Sequence, residues 1–263
     1  MNILYTGHYK EGTGWARAAL DYILALDSAG ANVVCRNIPL TEKEHEVPER
    51  ILELENKPIK DIDYCIQHVL PHHFSKSEKF KKNILCFVTE TDTVKYSGWL
   101  SILKDAQEIW VPSQSNKAIL EQDGLTNVKT IPYTFNLKPY NKDLHKKIVF
   151  QASKDAFKFY YIGDINDRKN IDSIIRCYHS EFHKDENVAL VIKGSKYGLE
   201  PEKLKSYLIA KSNEIKKSLR IWNNTTDFCP EYFITGFIDE SQMLSLHATC
   251  DCFINISHGE GWS

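Results

Sequence analysis

Three glycine-bearing stretches in this 263-residue chain carry groups suited to holding an anion or a polyhydroxyl ligand. The first is Gly7-His8-Tyr9-Lys10-Glu11-Gly12-Thr13-Gly14. Its glycines leave backbone N–H groups open to a phosphate, and the helix expected to start at Gly14 adds partial positive charge. The alternative is a merely flexible turn. The second stretch, Gly163-Asp164-Ile165-Asn166-Asp167-Arg168-Lys169-Asn170, sets Arg168 and Lys169 side by side where a helix should begin. The helix macrodipole disfavours cations there, so the pair suits an anionic phosphate ligand. The alternative is that Asp164 and Asp167 neutralise them on the surface. The third, Ser257-His258-Gly259-Glu260-Gly261-Trp262-Ser263, flanks the carboxylate of Glu260 with Gly259 and Gly261. Glu260 could accept hydrogen bonds from sugar hydroxyls while the neighbouring amides stay open; the alternative is a turn with an exposed glutamate.

Other chemistries fit less well. A dinucleotide fingerprint needs its glycine pair directly after the strand, whereas four residues separate Gly7 from Gly12. The acidic residue that would bind a ribose after the second strand is absent, because Cys35 is followed by Arg36. That arginine would suit a 2′-phosphate, which keeps an NADP-dependent oxidoreductase as a minor alternative. His68 with His72-His73, or His179 with His183 one helical turn on, could ligate a metal, but neither pair has an evident third ligand. The i,i+4 pair alternatively sits on a wet helix face. No Ser-His-Asp or Cys-His set has a nucleophile-elbow context. No metal and no resident cofactor are expected.

The formal charge of −2 argues against a dedicated nucleic-acid binder, and lysine runs such as Lys79 to Lys82 read as solvated faces. The seven cysteines are scattered and form no CxxC pair, so a reduced, cytoplasmic setting is expected. No apolar run approaches the roughly 20 residues of a membrane span, and the first strand starts at Asn2 without a signal-peptide core.

The elements that must position these loops alternate between periods of two and 3.6, the pattern of a β-α-β chain with parallel sheets. Strands are expected at 2–6, 31–35, 64–67, 84–88, 108–111, 128–131, 157–162, 188–192, 232–235 and 252–256. Helices are expected at 14–29, 49–54, from Ser113 or Ser115 to Gly124, at 171–182 and 202–219, and from an Asp239/Gln242 capping box through Ala248. Residues 141–156 are polar and Lys-rich and form the expected linker. It joins an N-terminal domain, 1–140, to a C-terminal domain, 157–263. The chain stops in a loop that should open a helix, so the second domain is expected to be incomplete.

The segment Phe233–Ser263, FITGFIDESQMLSLHATCDCFINISHGEGWS, resembles the signature of family 4 retaining glycosyltransferases of the GT-B fold. Three further segments resemble that family in order and spacing: Gly12-Thr13-Gly14, Ile109 to Ser113, and Tyr161 to Asn170. The resemblance implies two Rossmann-like, doubly wound α/β domains, the first holding an acceptor and the second a nucleotide-diphosphate sugar. It implies that Lys169, with Arg168 nearby, neutralises the departing diphosphate, and that Gly14 approaches the same group. Glu260 matches the first of the family's paired glutamates and would bind the transferred sugar, with Gly259 and Gly261 beside it on the donor side. The second glutamate would lie beyond Ser263. The arginine often found after the loop glycine is Asp164 here, and a histidine common after the fourth strand is Glu90. Glu90, and His68 through a weaker H-x-x-P-like match in Gln67-His68-Val69-Leu70-Pro71, are the acceptor-side candidates. The implied activity is hexosyl transfer with retention. A non-catalytic nucleotide- or glycan-binding relative is the alternative. Base, sugar and acceptor stay open among glycan, lipid and protein, as does peripheral membrane contact through a lipid acceptor.

Overall fold

The computed structural model describes residues 1–42, 44–150 and 154–262. By contacts the chain forms two compact units, one of residues 1–136 together with 260–262 and one of Leu137–Gly259. Each is an α/β unit built on a parallel sheet.

In the first unit, β1 (Asn2–Gly7), β2 (Asn32–Asn37), β3 (Tyr64–His68), β4 (Lys82–Cys86), β5 (Glu108–Val111) and β6 (Val128–Thr130) pair in the order β2-β1-β3-β4-β5-β6. Every pairing is parallel. Helices α1 (Gly14–Ser28), α2 (Glu49–Glu55), α3 (Leu100–Asp105) and α4 (Gln114–Gln122) cover the sheet. A parallel sheet is buried on both faces, and its strands accordingly read as apolar runs. Ile3 and Tyr5 of β1 pack with Ala19, Tyr22 and Ile23 of α1, while Leu4 between them packs with Val34 and Cys65 on the other face. Thr13 caps α1 by accepting from the Ala16 N–H. The short helix α3 was not legible from periodicity; only Leu103 of it is buried, so no apolar stripe develops over its six residues. β4 ends at Cys86, two residues before the apolar run does, because Phe87 and Val88 lead into the next loop.

In the second unit, β7 (Phe157–Asp164), β8 (Val188–Ser195), β9 (Glu231–Ile234) and β10 (Cys252–Phe253) pair in the order β10-β7-β8-β9. Helices α5 (Ile171–Glu181), α6 (Pro201–Leu219) and α7 (Glu240–Thr249) join them. Ile171, Ile174, Ile175 and Tyr178 of α5 pack on Tyr161, Leu190 and Ile192. The expected capping box of α7 is present in full, Asp239 accepting from the Gln242 N–H and the Gln242 side chain from the Asp239 N–H. β10 is shorter than the apolar run suggests, although Ile254 beyond it still packs in the core. Within the stretch read from sequence as a linker, Ile148 and Phe150 pack with Val191 and Leu246, and the Ile148 N–H donates to Thr249 Oγ1 at 2.7 Å. Residues 151–153 of that stretch, and Ser263 of the third loop, lie outside the described residues. No described helix is long and apolar enough to cross a membrane.

Candidate functional site

In an open parallel sheet a crevice forms at the carboxyl ends of the strands where the strand order reverses direction. In the second unit the chain runs β7, β8, β9 to one side and returns to place β10 on the other, so the reversal falls between β7 and β10. The loops following these two strands are 165–170 and 254–259, which contain most of the second stretch singled out from sequence and the first three residues of the third. They are tied together. Arg168 Nη1 donates to the Gly259 carbonyl at 2.6 Å, and the His258 N–H donates to the Arg168 carbonyl at 2.8 Å. Asn170 Nδ2 reaches the Ile256 carbonyl at 3.3 Å.

The cations of this loop lie just before the first turn of α5, where the sequence places them. Asp167–Lys169 form a separate 3-10 turn, capped by Asn166, whose side chain accepts from the Lys169 N–H at 3.1 Å. Asn170, in the left-handed region at φ 54°, then turns the chain into α5, whose first turn carries the acidic Asp172. The side chains of Arg168 and Lys169 are half-buried. One strand over, at the carboxyl end of β8, Lys193 is half-buried and burial lowers its pKa.

In the first unit the reversal falls between β1 and β3, which brings the loop after Gly7 beside His68. Gly12 sits at φ +65°, and a Cβ there would meet the His45 ring at 2.7 Å, so glycine is required for the turn itself. Gly14 differs: a Cβ on it, at the start of α1, would meet nothing within 4 Å. His68, at the end of β3, is fully buried, with Nδ1 2.7 Å from the Tyr5 hydroxyl and the Trp15 ring tilted against it, ring centres 4.9 Å apart. Burial presses its pKa down to about 3, with His8 adding repulsion. Its Nε2 and that of His8 are buried without a hydrogen-bond partner. His68 thus lies behind Trp15 as a neutral imidazole.

Glu90, by contrast, is exposed and lines a cavity of about 600 Å³ with Trp15, Asp92, Tyr96 and Trp99. The 89–97 loop that bears it is held from beneath. Asn116 of α4 accepts from the Thr89 N–H at 3.1 Å and donates to the Thr89 carbonyl at 3.2 Å. The Asp123 carboxylate accepts from the Val94 N–H at 2.6 Å and from the Thr93 hydroxyl at 2.9 Å. The Val94 N–H is the main reason its pKa is lowered. Neither Asn116 nor Asp123 stood out in the sequence, because a buried loop anchor has no spacing signature.

Gly261 packs against β4's end. A Cβ there would collide with the Val88 side chain and approach the Thr89 carbonyl to 2.8 Å, so its lack of a side chain serves close packing. Glu260, half-buried, belongs by contacts to the same unit, whereas Arg168, Lys169 and Gly259 belong to the other.

Two further expectations change. Arg36 does not offer a charge to a 2′-phosphate. Its guanidinium donates to the carbonyls of Cys35 at 2.7 Å, Lys57 at 2.7 Å and Glu55, closing the end of α2. His179 is on neither a wet face nor a metal site: it is buried, with Nε2 2.9 Å from Glu231. Burial alone would raise the Glu231 pKa, but His179, Lys216 and Ser212 outweigh it and hold the carboxylate ionised. Among the described residues no three His, Cys, Asp or Glu side chains are grouped to hold a metal.

Comparison with solved structures gives the fold class. The chain has the α/β fold, with parallel sheets in Rossmann-like units, of the GT-B glycosyltransferases. A sucrose-phosphate synthase from Thermosynechococcus elongatus matches with a TM-score of 0.59 at 15% identity, over 100% of this chain and 77% of its own. The catalytic domain of starch synthase IV from Arabidopsis thaliana, bound to ADP and acarbose, matches at 0.58 and 9% identity, over 98% and 78%. An alpha-glucosyltransferase in complex with UDP matches at 0.57 and 13%, over 98% and 73%. No protein-family model and no curated protein matches the sequence. At these identities the likeness is one of fold.

Proposed function

We propose that this chain is a retaining glycosyltransferase, moving a hexosyl group from a nucleoside-diphosphate sugar to an acceptor. The observation that carries the reading is the pinned loop at the β7–β10 reversal, which presents Lys169 beside a Gly259 segment held by Arg168. It stands on a fold whose solved examples include one bound to ADP and one in complex with UDP.

In this reading the bond from the sugar C1 to the diphosphate oxygen breaks, and an acceptor hydroxyl oxygen bonds to C1 on the same face. The acceptor proton leaves on the diphosphate. Negative charge grows on the departing phosphate in the transition state, and a fixed ammonium such as Lys169 stabilises it most at that moment. Arg168 acts chiefly by positioning, since its guanidinium holds the Gly259 carbonyl. Glu260 takes hydroxyls of the transferred sugar, and the amide of Gly14 serves an anionic oxygen at the α1 start. The first unit takes the acceptor.

Thermal unfolding with UDP, GDP, ADP and NADP in turn tests the donor assignment. A nucleoside diphosphate at about 100 times its dissociation constant should stabilise the chain by about 2.7 kcal/mol. Lys169→Ala should abolish most of that gain. A response to NADP with none to any diphosphate would falsify the reading. The commitment of the Arg168 guanidinium to a carbonyl also favours a second reading, a binding protein without turnover. Release of nucleoside diphosphate from a sugar donor separates the two.

A further inference from the structure

We propose that the second unit carries a further binding site, at the amino edge of its sheet, for a ligand bearing a phosphate monoester. The loop joining α6 to β9 lies at the amino ends of the parallel strands, and the crevice of the β7–β10 reversal at their carboxyl ends. This site is therefore separate from the donor loop and does not depend on the transferase reading. The last turn of α6 and the loop after it line a cavity of about 270 Å³. That is just below the ~300–1,000 Å³ of sites for drug-sized ligands, so it suits a compact head group.

The charges name the class. Lys216, Lys217 and Arg220 line the cavity, and no aspartate or glutamate does so among the described residues. Lys216 is already committed: it is buried, with Nζ 2.7 Å from Glu231 Oε1 and 5.9 Å from the centre of the Phe228 ring. Asp227, the one acid of the loop, accepts from Asn224 Nδ2 at 3.3 Å. Lys217 and Arg220 make no ion pair or side-chain hydrogen bond among the described residues, so two positive charges are left over. A phosphate monoester carries about −1.5 to −2 charge at pH 7 and three acceptor oxygens, which matches them. Neutral donors complete the lining: the Trp222 indole, the Asn223 amide and the Thr225 hydroxyl, none hydrogen-bonded among the described residues. Trp222 is braced by the His183 ring, centres 5.0 Å apart, and by Lys184 Nζ, 4.9 Å from its own centre. Lysines in a last turn also offset the negative end of the helix dipole, which is a reason for Lys216 and Lys217 whatever the cavity holds. It is no reason for Arg220. That residue caps α6 in the left-handed region at φ 55°, where glycine is the usual and less strained choice. Arg220 nevertheless stands on the cavity wall, and the planar fork of a guanidinium suits phosphate oxygens.

The indole N–H signal of Trp222, assigned by its loss in Trp222→Phe, reports on the cavity in NMR titrations of the whole chain. Inorganic phosphate and glycerol 3-phosphate should each shift it, and dimethyl phosphate, which carries a single charge, should bind about tenfold more weakly. Arg220→Gly should weaken the monoester response about tenfold or more while holding or raising the denaturation midpoint, because glycine relieves the left-handed backbone. Lys217→Ala should weaken it as well, and Lys217→Arg should retain it. Lys169→Ala should leave it intact, which separates this site from the donor loop. Sedimentation with phosphatidic acid vesicles, beyond that with phosphatidylglycerol vesicles and lost in Arg220→Gly, makes the source a lipid head group. Without it, a shift by glycerol 3-phosphate makes the source a soluble compound. No shift with either monoester, an equal response to dimethyl phosphate, or a response untouched by both Arg220→Gly and Lys217→Ala overturns the inference.

Discussion

His68 shows how burial sets the chemistry a residue can do. Its imidazole is neutral in the fold because burial holds its pKa near 3, against 6.5 for the free side chain. The unfolded chain takes up this proton below pH 6.5 and the folded chain refuses it until about 3. Stability from this group is therefore complete above pH 6.5 and is lost as the pH falls towards 3, with a slope of up to about 1.4 kcal/mol per pH unit. Denaturant unfolding of wild type from about pH 7.5 to about pH 5 should show this slope, and His68→Gln should flatten it whatever its effect at neutral pH. An unchanged slope would mean the imidazole is not the group responsible. Arg36 and His179 teach the same lesson from the other side. Each has the right chemistry for a ligand, but their partners are a helix end and a half-buried glutamate.

At the scale of elements, capping and strand order do the positioning. The Asp239–Gln242 box starts α7 one loop after β9, and the chain then leads through β10 to the segment that Arg168 grips. Asp239→Ala should cost about 0.5–2 kcal/mol through the lost cap, read as a lower denaturation midpoint with an unaltered denaturant slope. A fall in slope as well would mean that α7 organises more of the unit than its own turn. The cap was legible in the sequence because both partners lie within four residues. The 3-10 turn at 167–169 was not, since it depends on Asn170 adopting a left-handed conformation before α5. The 89–97 loop was illegible for a different reason. Its anchors, Asn116 and Asp123, lie about 30 positions later and meet it only once α4 packs on the sheet.

Across the whole molecule, two units with their own cores place their strand-order reversals at different loops, 8–13 with His68 in one and 165–170 with 254–259 in the other. Hydrogen exchange with a saturating nucleoside diphosphate should slow most in 165–170 and 256–259, where the donor reading puts the phosphates. Protection confined to other loops would move the donor away from Lys169.

The order of the strands and, α3 apart, of the helices, the parallel character of both sheets and the three glycine-bearing loops were written in the sequence itself. Apolar period, helix caps and strand-end glycines are local properties that survive without knowledge of neighbours. Which candidates met was decided only in three dimensions. Arg168 joined Gly259 across 91 residues, Gly261 packed on Val88, and Glu90 joined two tryptophans around a cavity while His68 was sealed behind one of them. Those outcomes depend on burial and on contacts between distant parts of the chain, and no spacing along a sequence encodes either.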